Sequence, residues 1–505
     1  MAKSIMIQGT MSNAGKSLIA AGLCRIFLQD GYKTVPFKSQ NMALNSYITK
    51  EHLEMGRAQA VQADACRIAP DVRMNPILLK PTTDMGSQVI INGEVVGNMR
   101  AMDYFKKKKE YIPVIRQAYE SLAAEYDLVV IEGAGSPAEI NLKQDDIVNM
   151  GMAEIADAPV LLVGDIDRGG VFAQLIGTVM LLEKKEQERI KGLIINKFRG
   201  DKKILEPGLW MLEKRCKKQV VGVVPYLDVD IEEEDSLAES LNQKSRGNGI
   251  DLAVIHLPRI SNFTDLQAFA LEPDISVRYV GKASELKEPD VILLPGTKNT
   301  IKDMQWLRES GLEASILRCH QKGSVIFGIC GGFQMLGESI LDACGAEGDG
   351  SVRGMNLLPV STVFEEEKTR TRVQGYVGRL EGCFGELSDK KVSGYEIHMG
   401  HTVQKDGAKS FVRLKESLQK NRKDGTQKED GCYQETVFGT YLHGIFDEEE
   451  FRSTFVQILC ERKGISYQAG QRLTYQEYKE KQFDKLADEL RNSLDMDKIY
   501  QMIED

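Results

Sequence analysis

The chain reads as two tandem α/β domains, each a mostly parallel sheet flanked by helices. Short β-branched apolar runs alternate with amphipathic helical stretches from residue 3 to about 225. The same alternation resumes after about 250, and a polar, acidic passage separates the two series. At 505 residues the chain is also too long for one ordinary domain.

In the first series the strand runs are SIMIQG near the N-terminus, LVVIEG at 128–133, PVLLVGD at 159–165, GLIINKF at 192–198 and QVVGVVP at 219–225. Each is apolar enough to be buried on both faces and stops at Gly, Pro or a polar residue, as strands of a parallel sheet do. Helical stretches between them supply right-handed crossovers. DVDIEEEDS at 228–236 and NQKSRGNG at 242–249 have a linker's composition. The second series is LAVIHLP at 252–258, ISVRYVG at 275–281, DVILLPG at 290–296 and SVIFGIC at 324–330. The charged, Gly-broken stretch 415–431 reads as a solvated loop, and the tail from 446 as helical. The expected boundaries are 1–230 for the first domain, 231–250 for a linker, 251–446 for the second domain and 447–505 for its helical extension.

Composition narrows the function. A net charge of -9 argues against a nucleic-acid surface. No apolar run is long enough to cross a bilayer. MAKSIMIQGT enters a strand directly, without the pattern of a signal peptide. The nine cysteines contain no CxxC pair, so neither a zinc site nor a disulfide framework is indicated. The expectation is a cytoplasmic protein whose partners are small molecules, with no nucleic acid and no membrane; self-association is left open.

The first strand runs into GTMSNAGKS at 9–17 and then the helix LIAAGLCRIFLQ. A Gly-rich turn at this junction aims backbone N–H groups and a helix dipole at an anion. Gly9, Asn13, Gly15, Lys16 and Ser17 are therefore nucleotide-binding candidates, with Lys16 reaching the terminal phosphates and Ser17 ligating Mg²⁺. The first domain is thus P-loop NTPase-like, although five residues rather than four separate Gly9 from Gly15. Glu132, at the end of a strand, is a natural Mg²⁺ partner or water-positioning carboxylate. Asn196 sits at another strand end, where ligands collect in open parallel sheets, and reads as a base contact or a turn former. Asp165 and Asp167 read as metal, substrate or turn residues.

In the second domain SVIFGIC leads into GGFQMLGESIL, so Cys330 lies between Gly328 and Gly332. This is the thiol form of a nucleophile elbow, a strained turn that small neighbours permit. The Gly331 N–H is placed for an oxyanion, and the Gly296–Thr297 turn offers a second donor. His443, in GTYLHGIF, is the candidate base. His398 and His401, in EIHMGH, lack further ligands for a metal; substrate contact is left open.

Together the motifs resemble those of the cobyric acid synthase family. The likeness rests on GTMSNAGKS, PFKSQNMALNS, MNPILLKP, GSQVIINGEVVG, VVIEGAGSPAEINL and DIVNMGMAE, followed by GDIDRGGVFAQL, INKFRGD, GTKNTI, GICGGFQMLG, GYEIHMGHT and GTYLHGIF, in order along nearly the whole chain. It implies a dethiobiotin-synthetase-like ATP domain joined to a triad-type class I glutamine amidotransferase-like domain. The implied activity is stepwise amidation of the b, d, e and g carboxylates of adenosylcobyrinic acid a,c-diamide in cobalamin synthesis. The resemblance also implies ATP and Mg²⁺, and no tightly bound organic cofactor is expected. Cys330 and His443 match the family's nucleophile and base. The wider amidotransferase class carries a Glu two residues after this histidine; here that position is Ile445, so the third member is left open. An acid-rich corrinoid calls for basic or amide contacts, for which Lys38, Gln40, Asn41, Asn45 and Lys80 are the candidates. The alternatives are amidation of the a and c carboxylates by a synthetase of the same plan, or a regulatory P-loop ATPase of the partition type.

Overall fold

The computed structural model describes residues 2–83, 86–231, 249–345, 347, 350–416, 427–468 and 473–504. Two compact units result, Met1–Ala43, Glu54–Glu232 and Lys479–Asp505 in the first, Leu44–Leu53 and Glu233–Tyr478 in the second.

The first unit is built on strands β1 (Lys3–Gly9), β2 (Thr34–Phe37), β3 (Leu128–Glu132), β4 (Val160–Asp165), β5 (Ile190–Phe198) and β6 (Gln219–Pro225). They form one parallel sheet in the order β6-β5-β4-β1-β3-β2. All five expected runs are present, and β3 and β4 are buried along their whole length. The unexpected member is β2, a four-residue edge strand holding Pro36, which a sheet tolerates only where no ladder donor is needed.

Between β2 and β3 the structure also differs from the helical crossover expected. Gln40–Met42, Ile77–Thr83, Gly86–Ile91 and Glu94–Arg100 form a second, four-stranded sheet. Asn92 and Gly93 join its last two strands at φ 48° and 83°, the positive values a two-residue hairpin turn requires.

The second unit contains β7 (Ile250–Ile255), β8 (Ile275–Val280), β9 (Val291–Leu294), β10 (Val325–Ile329), β11 (Cys432–Gln434) and β12 (Val437–Thr440). Their order is β8-β7-β9-β10-β12-β11, parallel except for the last pair. The four expected runs are its first four strands. A separate sheet centres on the antiparallel pair Val360–Val377 and Lys391–Gln404. The expected loop 415–431 is corrected at its ends, since Val412–Glu416 pairs with Gln427–Asp430; residues 417–426 lie outside the described residues.

The expected domain boundaries need two corrections, and 232–248 of the expected linker lies outside the described residues. Residues 44–53 belong to the second unit. There the Asn45 side chain accepts from the Asn262 N–H at 2.7 Å, Asn262 Oδ1 accepts from the Ser46 N–H at 3.2 Å, and Ile48 packs with Tyr395 and Ile397. At the other end, the extension 447–505 divides. The helix Glu449–Lys463 stays with the second unit, whereas residues from Lys479 onward join the first. Phe483, Leu486, Leu490, Leu494, Ile499 and Ile503 enter one core with Ile5, Ile7, Leu23 and Phe27. The helix Lys16–Gln29 makes room with Gly22, where a Cβ would meet a Leu490 methyl at 2.2 Å. The buried Arg25 guanidinium is met by Glu480 at 2.9 Å from the same late helix, Tyr475–Arg491.

No helix among the described residues is long and apolar enough to cross a membrane. All nine cysteines are free thiols.

Because Leu490 fills that core, Leu490→Ala is expected to destabilise the first unit by about 2–4 kcal/mol. Hydrogen exchange in graded urea will show protection lost earlier in β1 and the helix after it, with β7, β9 and β10 unaffected.

Candidate active sites

In the first unit β1 ends at Gly9 and the next helix starts at Lys16. Asn13 and Gly15 take positive φ of 60° and 95°, which curls the intervening loop. The Lys16 side chain folds back along Gly9, where a Cβ would stand 3.0 Å from Nζ. Its ammonium donates to the carbonyls of Met11 (3.0 Å) and Gly135 (3.2 Å). Ser17 Oγ donates to Glu132 Oε1 at 2.8 Å. That buried carboxylate also accepts from Lys38 Nζ at 2.8 Å and from Gln62 Nε2 at 2.5 Å. Burial by itself would raise the Glu132 carboxyl; the Lys38 ammonium, joined by the Gln62 and Ser17 bonds, more than offsets this and holds it below the ordinary value. Asn196 Nδ2 donates to the Ala14 carbonyl at 2.9 Å. A Cβ on Gly15 would lie 2.0 Å from that same nitrogen, so Asn196 braces the loop from beneath. Asp165 is engaged by the Asp167 N–H (2.8 Å) and Lys197 (3.2 Å), and Asp167 by Arg199 (3.1 Å).

The five corrinoid-contact candidates are not gathered into one group. Lys38 is at the Glu132 cluster, and Asn41 donates to Gln59 Oε1 at 3.1 Å. Gln40 Oε1 accepts from the Tyr104 hydroxyl at 2.6 Å. The Lys80 ammonium sits 2.9 Å from Glu54, with both side chains buried. Asn45 is tied to Asn262 in the second unit.

In the second unit β10 delivers Cys330 at φ 53°, ψ -111°, as the cap of the helix Gly331–Leu336. A side chain rarely adopts that conformation, and its neighbours must be glycine for it to persist. A Cβ on Gly332 would lie 1.9 Å from the Leu294 carbonyl, and one on Gly328 2.8 Å from the Gly332 carbonyl. The Cys330 thiol points to the Ile397 carbonyl at 3.7 Å.

His443 follows β12 and is fully buried. Its Nδ1 is 2.7 Å from Asp265 Oδ2, while Asp265 Oδ1 accepts from the Gly444 N–H at 3.0 Å. Tyr395 stacks on the imidazole with centroids 5.2 Å apart and exchanges backbone hydrogen bonds with His443. Close approach of the two backbone segments depends on Gly394, where a Cβ would stand 1.9 Å from the His443 carbonyl. Burial by itself would lower the imidazolium pKa; the Asp265 carboxylate, with the Cys330 sulfur, reverses this and raises it to about 10. The oxyanion candidates converge here too. A Cβ on Gly296 would lie 3.2 Å from His443 Cε1, and one on Gly331 3.1 Å from the Thr297 nitrogen. Together these groups suit attack by a thiol on a carboxamide, with a proton held on His443 for the departing nitrogen.

Nothing in the sequence singles out Asp265. It lies on the short 3-10 segment Phe263–Leu271, 178 residues before its histidine, in SNFTDLQAF, which carries no local signature. The residue two positions after His443, Ile445, is buried core.

Residues 5–238 match the model of the CobQ/CobB/MinD/ParA nucleotide binding domain, and 251–451 that of the CobB/CobQ-like glutamine amidotransferase domain. A cobyric acid synthase of Lachnoclostridium phytofermentans is 59% identical, the alignment spanning 100% of both chains. One of Ruminiclostridium cellulolyticum is 56% identical over 100% of this chain and 98% of its own. A third, of Caldanaerobacter subterraneus, is 51% identical over 100% of this chain and 99% of its own. The chain belongs to the cobyric acid synthase family.

Proposed function

We propose that this chain is an ATP-dependent, glutamine-hydrolysing amide ligase of the cytoplasm that amidates the b, d, e and g carboxylates of adenosylcobyrinic acid a,c-diamide. The observation that carries this reading is the Cys330 elbow beside the buried His443–Asp265 pair, on the same chain as a phosphate loop with Glu132 at its mouth.

A carboxylate resists ammonia because its anion repels nucleophiles and its leaving group is poor. Transfer of the γ-phosphoryl group of ATP to a corrinoid carboxylate gives an acyl phosphate, from which phosphate departs readily. Lys16 and the N–H groups of the loop from Gly9 to Ser17 offset charge on the transferring group. Asn196 keeps that loop in shape, and Asn13 lies at its exposed tip. Ser17 Oγ and Glu132 Oε1 are adjacent hard oxygen donors that fit Mg²⁺. When bound, the ion supplies charge neutralisation at the phosphates. Lys38, beside Glu132, with Gln40 and Asn41, faces the corrinoid carboxylate.

In the second unit Cys330 attacks the glutamine carboxamide, the Gly331 and Gly296–Thr297 amides hold the oxyanion, and His443 gives its proton to the leaving nitrogen. Ammonia and a glutamyl thioester result; water, deprotonated by His443, then frees glutamate. Asp265 is the third member of the triad and holds His443 in its productive orientation. A partition-type ATPase has no use for this constellation. Full-length relatives at 50–59% identity bear the name cobyric acid synthase, which disfavours a and c amidation.

With ATP–Mg²⁺ and adenosylcobyrinic acid a,c-diamide, Cys330→Ala is expected to lower glutamine-driven amidation by about 10³-fold or more while ammonia still supports it. Lys16→Ala will depress both nitrogen sources together. Mass spectrometry of the corrinoid reads both; retention of glutamine-driven synthesis by Cys330→Ala would sink the proposal. Asp265→Asn is expected to lower the glutaminase kcat by roughly 10²–10⁴-fold. Its alkaline limb will also shift to lower pH, because His443 holds its proton to about pH 10 only while the carboxylate opposes the effect of burial.

A further inference from the structure

The mechanism above leaves one half-buried imidazole beside these residues without a part. His398 stacks on Tyr441 with centroids 3.7 Å apart, and the residue before it, Ile397, faces the Cys330 thiol with its carbonyl. Tyr441 is itself locked: its hydroxyl accepts from Gln334 Nε2 at 3.0 Å and bonds Thr402 at 2.6 Å. His398 Nδ1 donates to the Gly400 carbonyl at 2.8 Å. A neutral imidazole has a single N–H, so Nε2 carries the lone pair. That nitrogen is buried and has no hydrogen-bond partner among the described residues. Buried acceptors are nearly always satisfied, and an exception inside a reactive centre marks a place for a ligand donor.

The chemistry of the donor follows from charge. Burial pushes the His398 pKa down to about 3, and the neighbouring Lys428, His443 and His401 act in the same direction. A second cation such as an α-ammonium is therefore poorly matched here, whereas a carboxamide N–H donates without adding charge. We propose that His398 Nε2 accepts a hydrogen bond from the carboxamide NH₂ of glutamine and turns the leaving nitrogen toward His443. This rests on the glutaminase reading given above.

Glutamine and the γ-methyl ester of glutamate separate this role from a structural one, because the ester forms the same thioester but offers no N–H. Hydrolysis of both is measured with the full chain carrying His398→Asn, which keeps the Gly400 bond and removes the distal acceptor, or His398→Gln, which restores an acceptor oxygen. The ratio of kcat/KM for glutamine to that for the ester is expected to fall by about tenfold or more in His398→Asn and to stay within about threefold of wild type in His398→Gln. His398→Phe, which keeps the ring stack, is expected to give the same fall and covers the case in which the smaller side chain disturbs folding. An unchanged ratio in the Asn and Phe variants, including a parallel loss on both substrates, would overturn the role. Failure of the wild-type chain to hydrolyse either compound would remove the glutaminase reading and this inference with it.

Discussion

A carboxylate withdrawn from water has to be met by charge and hydrogen bonds, and this constraint organises both units. Leaving such a group unmatched costs several kcal/mol. Glu132 is 1% exposed and meets it with Lys38, Gln62 and Ser17, which draws three segments of the first unit onto the end of β3. Asp265 is 6% exposed and meets it with the His443 imidazole and the Gly444 N–H, which fastens the Phe263–Leu271 segment to the chain after β12. In each case the partners include groups the proposed chemistry needs held still, Lys38 and Ser17 at Glu132 and His443 at Asp265.

Backbone geometry does the rest of the positioning. Both central sheets are mainly parallel, so the loops after their strands gather at one edge, where ligands collect in such folds. Gly15 and Cys330 each open a helix from a backbone conformation of positive φ. At Gly15 this allows the loop to rest on Asn196; at Cys330 it lifts a thiol out of a turn too crowded for any neighbour but glycine. The strain at Cys330 is sustained by packing around it, since Phe333, Met335 and Leu336 of the following helix are all core residues.

Much of this was legible in the residues. Nine apolar strand runs, the phosphate loop and the Gly328–Cys330–Gly332 elbow each carry a pattern that is local and physically specific. The Asn92–Gly93 hairpin also has its signal, an Asn-Gly pair between two short apolar runs. Other features have no local signature. Asp265 is one acid among many until folding brings it to His443. The amphipathic helix Tyr475–Arg491 displays an apolar stripe, but nothing in the stripe says that its partner is Gly22 near the opposite end of the chain. Nor does the sequence around Asn45 and Lys80 show that each meets a buried polar group of the protein itself.

The central claim is that nitrogen passes from the glutamine side chain, through the Cys330 site, to corrinoid carboxylates activated by ATP. The most direct test supplies amide-¹⁵N glutamine together with excess unlabelled ammonium and follows label into the corrinoid by NMR. The account predicts ¹⁵N at each of the b, d, e and g amides, little diluted by the free ammonium. Label that is absent from the corrinoid, or diluted to the composition of the ammonium pool, would contradict it.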